Sequence, residues 1–156
     1  MKKRVGILFA ILIIVAVMSI AVIKLYGPSA FPPNSPLVVI RDEGGVCDYG
    51  LCWWEITINR NGTWDERTGG GAELHGKISD ELFKEMSDAV ESFDVKDFKT
   101  EPSNNSCSNL HDTLRIVISI FSKRGSLTLD NCVSKIDYEV SPFDKIILVN
   151  DEIPRR

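Results

Sequence analysis

The chain has 156 residues, a mean hydropathy of -0.01 and a formal net charge of -4, which would suit one small domain. These averages conceal two regions, because the first 26 residues contain four basic residues, no acidic residue and a long apolar run. The rest of the chain carries 14 Lys and Arg against 22 Asp and Glu, a net of -8. This distribution excludes a two-domain enzyme, a disordered acidic chain and a multi-span membrane protein. The acidic body also argues against nucleic acid as a partner.

The apolar run has the length of a membrane span. Residues 5–23 contain no charged residue and would extend about 28 Å as a helix, against about 30 Å for the hydrocarbon layer of a bilayer. Three basic residues precede the run and only Lys24 follows it closely, so the positive-inside rule places the amino terminus in the cytoplasm. We predict a single-pass signal anchor at 5–26, residues 1–4 in the cytoplasm, and the body outside the cell membrane. The alternative is a cleaved signal peptide and a secreted body.

A proline-rich segment separates the leader from the body. Residues 27–36 contain four prolines, a composition typical of a stiff, extended linker. We therefore predict a spacer over 27–36 and an extracytoplasmic domain over 37–156.

The first half of the body shows strand patterns. Residues 37–41 form a short apolar run that suits an edge strand, and residues 53–59 alternate between apolar and polar positions. Asn61 and Gly62 then form the residue pair that most strongly indicates a hairpin. A three-residue loop with Gly62 in a bulge would pair Ile58 with Trp64 and keep the indole on the apolar face. We expect that register.

Two helices and a second hairpin follow. Residues 78–93 carry apolar side chains at helical spacing, with Ser79 as the cap, and residues 113–121 and 126–132 alternate around a turn. Ser141 and Pro142 resemble a capping box with proline at the first position of a second helix. The order β-β-β-α-β-β-α predicts an α+β domain, in which two hairpins and an edge strand form a small antiparallel sheet packed with two helices.

The cysteines of the body are Cys47, Cys52, Cys107 and Cys132. An even number in an oxidising compartment is most simply explained by two disulfides, for which three connectivities exist. We favour the pair 47–52 across a short loop and the pair 107–132 across a fold-back before the second hairpin. The alternatives are a redox-active thiol pair and a zinc site. Both fit less well, because the spacing is not Cys-x-x-Cys and because His75 and His111 are isolated residues of expected loops.

Other motifs are interpreted as surface features. Residues 71–77 match the G-x-x-x-x-G-K skeleton of a phosphate-binding loop, but Ile78 stands where Ser or Thr must hold Mg²⁺, so a glycine-rich turn is expected. Neighbouring carboxylates at 42–43 and 65–66 point to opposite faces of a strand and are expected to be solvated. Asn61 and Asn104 begin glycosylation sequons. We predict no catalytic residue, no cofactor and no metal.

Three tryptophans, Trp53, Trp54 and Trp64, cluster around the first hairpin. Alternation places Trp54 on one face of its strand and Trp53 on the other. These side chains either pack in the core and across strands or present a binding surface to a ligand or partner.

The segment from Cys47 to Trp64 resembles a known family. It reads Cys-Asp-Tyr-Gly-Leu-Cys, then Trp-Trp-Glu-Ile-Thr-Ile, an Asn-Gly turn and Trp64. It is similar to a family of small bacterial extracytoplasmic domains with a Cys-x-Gly-x-Cys-Pro-x-Tyr motif, followed by two strands and a helix opened by Ser. In this chain one more residue separates the cysteines, and Trp53 replaces the proline. The resemblance implies an architecture over residues 37–150 and the disulfide 47–52, and it implies no activity.

Two functions from different classes follow from these observations. The first is a membrane-anchored, non-catalytic binding or structural module, whose partners are the lipid bilayer through residues 5–26 and an envelope protein or ligand. The second is a small extracytoplasmic thiol-redox protein or enzyme that uses the cysteines.

Overall fold

The computed structural model describes residues 31–47, 50–96, 98–103, 107 and 114–154, and of residues 45–47, 50 and 51 it describes the backbone alone. The anchor expected at 5–26 lies outside these residues, as do Asn104 and His111. Within the described part of the chain, no helix is long and apolar enough to cross a bilayer.

Eight strands and two helices make up the described part of the body. They are β1 (Pro36–Cys47), β2 (Gly50–Asn59), β3 (Thr63–Thr68), β4 (Glu73–Lys77), α1 (Asp80–Ser92), β5 (Glu101–Pro102), β6 (Arg115–Ser122), β7 (Gly125–Asp130), β8 (Ser134–Lys135) and α2 (Phe143–Glu152). Six strands form one antiparallel sheet in the order β4-β3-β2-β1-β6-β7, and β5 pairs with β8. The predicted α+β class, with an antiparallel sheet and two helices, is confirmed.

The first strand lies at the centre of the sheet, and its prediction as an edge strand is wrong. Strand β1 pairs with β2 on one side and with β6 on the other. Ile40 lies opposite Ile56 and Ile118, and all three side chains are buried. Burying a side chain of this size stabilises the fold by about 1.5–3 kcal/mol. In the central position, β1 buries its apolar residues between those of β2 and β6. The sequence of β1 alone does not show that it has a neighbouring strand on both sides.

The first hairpin has the predicted register. Ile58 lies opposite Trp64, whose side chain is only 7% exposed. Gly62 has a φ of 81°, and its amide donates to the carbonyl of Asn59 at 3.0 Å. Because a residue with a Cβ rarely adopts this φ, glycine is required at the turn.

Strand β4 occupies the segment where a glycine-rich turn was expected, and that prediction is wrong for residues 73–77. The turn is shorter: the amide of Gly71 donates to the carbonyl of Thr68 at 3.0 Å, and the amide of Thr68 donates to the carbonyl of Ala72 at 3.1 Å. Gly76 is part of the strand, opposite Trp64. A Cβ at position 76 would lie 2.7 Å from the Trp64 ring, so glycine is present here because the indole occupies the space.

Both helices contribute to a core on one face of the sheet. Met86 and Val90 of α1 and Phe143, Ile146 and Val149 of α2 are buried with the inward-facing strand residues. This face is called the covered face below. Because the helices pack on the covered face, the side chains on the other face of the sheet point away from the core.

The helix starts differ in part from their predictions. Ser79 is the N-cap of α1, as expected, but its side chain makes no capping hydrogen bond. The N-cap of α2 is Pro142, also without a side-chain cap, so the predicted capping box with proline at the first helical position is not formed. A separate contact joins α1 to the sheet: the Arg60 guanidinium donates hydrogen bonds to Glu91 of α1 and to the carbonyl of Phe121.

The end of the predicted spacer is part of the folded domain. The amide and hydroxyl of Ser35 both donate to the carbonyl of Pro32, at 2.9 and 2.7 Å, which closes a turn rather than an extended linker. The side-chain amide of Asn61 donates to Asn34 at 2.8 Å, and Pro36 already belongs to β1. The fold therefore begins about four residues earlier than the pattern of apolar residues indicates.

Candidate functional site

The face of the sheet opposite the core carries mostly polar and charged side chains. We call it the open face and define it by the outward residues of β1, β2, β3, β4, β6 and β7. Most of its residues are exposed or half-buried, whereas most of the positions that alternate with them along the strands are buried. Antiparallel sheets often have one face exposed to solvent, so exposure alone does not indicate a binding surface. The arrangement of the side chains on the open face is more informative than their exposure.

A row of alternating charge crosses four strands of the open face. Strand pairing places Glu73 opposite Arg67, Arg67 opposite Glu55, and Glu55 opposite Arg41. The Arg41 Nη1 to Glu55 Oε2 and Arg67 Nε to Glu73 Oε1 distances are both 3.8 Å. We call these four residues the charged row. Arg67 and Glu55 each lie between two opposite charges, whereas Glu73 and Arg41 at the ends of the row have one such neighbour. This alternation favours the sheet register.

Arg115 forms a second ionic cluster beside the charged row. Its Nη2 lies 2.7 Å from Asp130 Oδ2, and its Nη1 lies 3.1 Å from Glu43 Oε2. Its Nε also donates to Asp130 Oδ2 at 3.0 Å, so this one carboxylate oxygen accepts two hydrogen bonds from the guanidinium. The hydrogen bond to Asp130 is the main cause of a raised Arg115 pKa. Glu43 in turn contacts Arg41 Nε at 2.6 Å, so the cluster and the charged row are continuous.

The pKa of Asp130 reflects the same cluster. Burial alone raises the pKa of this carboxyl group, but the hydrogen bonds donated by Arg115 and by the Cys132 amide, with the charge of Arg115, outweigh burial and lower it. The carboxylate is therefore ionised and fixed in place at neutral pH.

Trp53 is the aromatic residue of the open face next to the charged row. The Arg41 guanidinium carbon lies 5.3 Å from the centroid of the indole, within the range of a cation–π contact. Gly69 lies along the indole edge, where a Cβ would be 3.0 Å from Nε1, and its amide donates to the Trp53 carbonyl at 2.9 Å. These contacts hold the ring in one orientation and leave it half-buried.

The other two tryptophans lie on the covered face. Trp64 is buried in the core, and Trp54 is half-buried and packs against it. The three indoles named together from the sequence therefore do not share one surface. Of the three, Trp53 alone is on the open face, as the alternation of β2 requires.

The carboxylates at 42–43 and 65–66 point to opposite faces, as expected, but two of the four are not solvated. Asp42 and Glu66 lie on the covered face and are each only 8% exposed. Strand β2 lies between β1 and β3, with Trp54 opposite Asp42 and Ile56 opposite Glu66. The two buried carboxylates are thus on strands that do not pair with each other, and the register does not place them as an acid–base pair.

The predicted disulfide 107–132 is confirmed. The Cα atoms of Cys107 and Cys132 are 5.5 Å apart, and the two residues are bonded. Cys52 is also disulfide-bonded, but the side chain of Cys47 lies outside the described residues, so the pair 47–52 stays a prediction.

A shallow cavity of about 300 Å³ lies next to this disulfide. It is lined by Pro102, Ser103, Asn131, Ser134, Lys135, Ile136 and Tyr138. The Tyr138 hydroxyl is shielded from solvent and has no hydrogen-bond partner among the described residues. Burial, and secondarily the charge of Asp42, raises the pKa of this phenol. A neutral phenol without a partner among the described residues is a packing feature with one unused hydrogen-bond donor.

Among residues 31–47, 50–96, 98–103, 107 and 114–154, no three His, Cys, Asp or Glu side chains are grouped as metal ligands would be. His75 lies exposed on strand β4 rather than in the loop that the sequence suggests.

Comparison with known proteins adds no relative: the chain matches no protein-family model and no curated protein. The resemblance of residues 47–64 to a family of extracytoplasmic domains therefore stays a prediction.

Proposed function

We propose that this protein is a non-catalytic binding module of the cell envelope, anchored in the membrane through residues 5–26, which docks a folded protein partner on the open face. The observation that carries the proposal is the charged row together with Trp53, whose ring is stacked by Arg41 of the same row. The amino terminus lies in the cytoplasm and the body outside in this proposal, following the distribution of basic residues around the leader.

The chemistry of the open face favours a protein over a small ligand. A small ligand is usually bound in a concave, largely apolar pocket, whereas these residues lie on a sheet surface. Trp and Arg are the side chains most often found at the energetic centre of protein interfaces, and here Trp53 and Arg41 are in contact. Both are held by neighbours before any partner arrives, so binding costs little side-chain entropy.

The charge pattern adds specificity. The body as a whole is acidic, yet the open face presents Arg41, Arg67 and Arg115 between carboxylates. A partner with the complementary alternation would be attracted, and one with uniform charge of either sign would meet like charges. We therefore expect a partner surface of mixed charge.

The cysteines support a structural role in this proposal. The amide of Cys132 donates to Asp130 Oδ1 at 3.0 Å, which places a carboxylate beside the disulfide. Catalytic thiols need a neighbouring positive charge or a helix N-terminus to favour the thiolate, and a neighbouring carboxylate acts in the opposite sense. A redox role for this pair is thereby disfavoured.

The test is site-specific photo-cross-linking in the native cells. A benzoylphenylalanine at Thr57, on the open face between β1 and β3, should give one discrete adduct, and the same group at Lys84 on α1 should not. The variant Arg67→Ala should weaken the Thr57 adduct at least about fivefold, because interface arginines often contribute 1 kcal/mol or more. Arg67 is 64% exposed and makes a weak ion pair, so its loss should leave stability unchanged.

The matched control is Lys84→Ala, which also removes an exposed ion-paired cation, but on the helical side. It should leave the adduct unchanged. Absence of a discrete adduct from Thr57, an equal adduct from position 84, or insensitivity to Arg67→Ala would each contradict the proposal.

A further inference from the structure

Strand β4 forms one edge of the six-stranded sheet, with β3 as its neighbour on the inner side. Two backbone bonds identify which residues are hydrogen-bonded across this pair: the Ile78 amide donates to Gly62 at 3.0 Å, and the Thr68 amide donates to Ala72 at 3.1 Å. Hydrogen-bonded and non-bonded pairs alternate in an antiparallel ladder, so Leu74 and Gly76 are the bonded residues of β4.

The backbone groups of the remaining residues point away from the sheet. Glu73, His75 and Lys77 direct their amides and carbonyls outward, and their side chains are exposed on the open face. The strand therefore presents three donors and three acceptors in the spacing that an added antiparallel strand requires.

The sequence of this edge is self-complementary in charge. Glu73 and Lys77 are placed symmetrically about His75. We propose that β4 pairs with β4 of a second copy of this chain, antiparallel and about a two-fold axis at His75. Glu73 of each copy then lies directly opposite Lys77 of the other, and the two sheets join into one of twelve strands.

The register follows from the same residues. An axis at His75 brings all three outward residues into hydrogen-bonded pairs, which gives six backbone hydrogen bonds and two opposite-charge pairs. A shift by two residues in either direction leaves only two of these residues paired and places Glu73 or Lys77 opposite His75. On the covered side, Leu74 meets Gly76 of the second copy, so two large side chains do not collide there.

The charged side chains are available for this pairing. Glu73 is 74% exposed and its ion-pair distance to Arg67 is 3.8 Å. Lys77 is 60% exposed, and its partner Asp80, 2.7 Å away, is itself exposed. Exposed pairs of this kind contribute little stability, so they can rearrange when a stronger cross-strand partner is present.

The opposite edge of the sheet lacks this complementarity. On β7, the corresponding outward residues are Ser126, Thr128 and Asp130, and self-pairing about Thr128 would place Ser126 opposite Asp130. Asp130 is already held by Arg115. Strand β4 is therefore the edge at which we expect self-association. An interface of one short strand per copy is small, so we expect a reversible dimer.

Sedimentation equilibrium of the full chain in density-matched detergent micelles tests the proposal. The wild type should form dimers at high protein-to-micelle ratio. Glu73→Lys alone, or Lys77→Glu alone, should weaken dimerisation at least about tenfold, because each change places two like-charge pairs at the interface. The double variant Glu73→Lys/Lys77→Glu should restore it. An equimolar mixture of the two single variants should also dimerise, since each supplies the charges that the other lacks.

A backbone variant provides an independent test. His75→Pro removes an outward-facing amide that takes no part in the ladder to β3, so the fold should persist while dimerisation is lost. Lys84→Glu is the matched control, because it reverses an exposed ion-paired lysine away from the edge, and it should leave the dimer unchanged. A monomeric wild type, a dimer that survives His75→Pro, or a double variant that stays monomeric while folded would overturn the proposal.

Discussion

The close approach of Gly76 to Trp64 leads to the most direct prediction about stability. In the structure, a Cβ at position 76 would lie 2.7 Å from Cε2 and Cζ2 of the Trp64 indole and 2.8 Å from its Nε1. The indole is buried in the core and lies opposite Gly76 across the β3–β4 pair. The substitution Gly76→Ala therefore adds one methyl group where no space exists.

The expected cost combines two terms. Overpacking a core by one carbon typically destabilises a protein by about 1–3 kcal/mol. Replacing glycine by alanine also restricts the unfolded chain, which stabilises by about 0.4–1 kcal/mol. The overpacking term is the larger, so we expect Gly76→Ala to lower the free energy of unfolding by about 1–2 kcal/mol. This corresponds to a decrease in Tm of roughly 3–8 °C for a domain of this size.

Urea denaturation followed by circular dichroism measures this change, with Gly70→Ala as the matched control. A Cβ at Gly70 would have Thr68 Oγ1 as its nearest neighbour, at 3.9 Å, so that variant should be as stable as the wild type or slightly more stable. A double-mutant cycle with Trp64→Phe isolates the contact. In the phenylalanine background, Gly76→Ala should cost about 1 kcal/mol less than in the wild type.

Two results would refute this reasoning. One is a Gly76→Ala variant as stable as the wild type, and the other is the same cost in both backgrounds of the cycle. The second result would assign the cost to the backbone of β4 instead of the indole.

Three further predictions concern the disulfide, the carboxylate of Asp130 and the phenol of Tyr138. Replacing Cys107 and Cys132 together by serine should cost about 3.5 kcal/mol in urea denaturation, the loop entropy for a separation of 25 residues, and a loss below about 1 kcal/mol would contradict that origin. The pKa of Asp130 in the folded protein lies below its usual 3.8, so the stability that this carboxylate contributes is present above pH 3.8 and is lost as the pH falls through the folded pKa. Asp130→Asn should therefore reduce the loss of stability on acidification in a plot of unfolding free energy against pH. An unchanged loss would count against the Arg115 cluster. Tyr138→Phe should leave stability at pH 7 unchanged or higher, since the hydroxyl has no described partner. The phenol pKa is raised above 10.0, so its contribution is complete below that pH and lost as the pH rises through the folded value; the variant should lose less stability than the wild type in strong alkali.

Features that depend on neighbours in the chain were predicted well. The register of the first hairpin follows from alternation in β2 and from the Asn61-Gly62 turn, and Ile58 does lie opposite Trp64. The helix α1 and the second hairpin have periodic patterns of their own, and both are present within a few residues of their expected bounds. The alternation of β2 also placed Trp53 and Trp54 on opposite faces.

Features that depend on distant residues were missed. The pairing of β1 with β6 joins segments about 80 residues apart and has no local signature, so β1 was expected at an edge. Gly76 had the appearance of a turn residue, whereas the Trp64 ring is what excludes a larger side chain. Asp42 and Glu66 were expected to be solvated because of their charge, but the strand alternation places both on the covered face, where each is only 8% exposed.

The amino-acid sequence by itself determined the local conformations, the α+β class, the acidic body and the apolar leader, because each depends on composition or on residues a few positions apart. The tertiary structure decided the strand order, and with it which surfaces the domain presents. The pairing of β1 with β2 places Arg41 opposite Glu55 in the row that crosses the open face, and the pairing of β1 with β6 places Glu43 opposite Arg115. Because Gly76 has no side chain, the Trp64 indole fits beside it and β4 can pair with β3. This pairing places Glu73, His75 and Lys77 along the edge of the sheet.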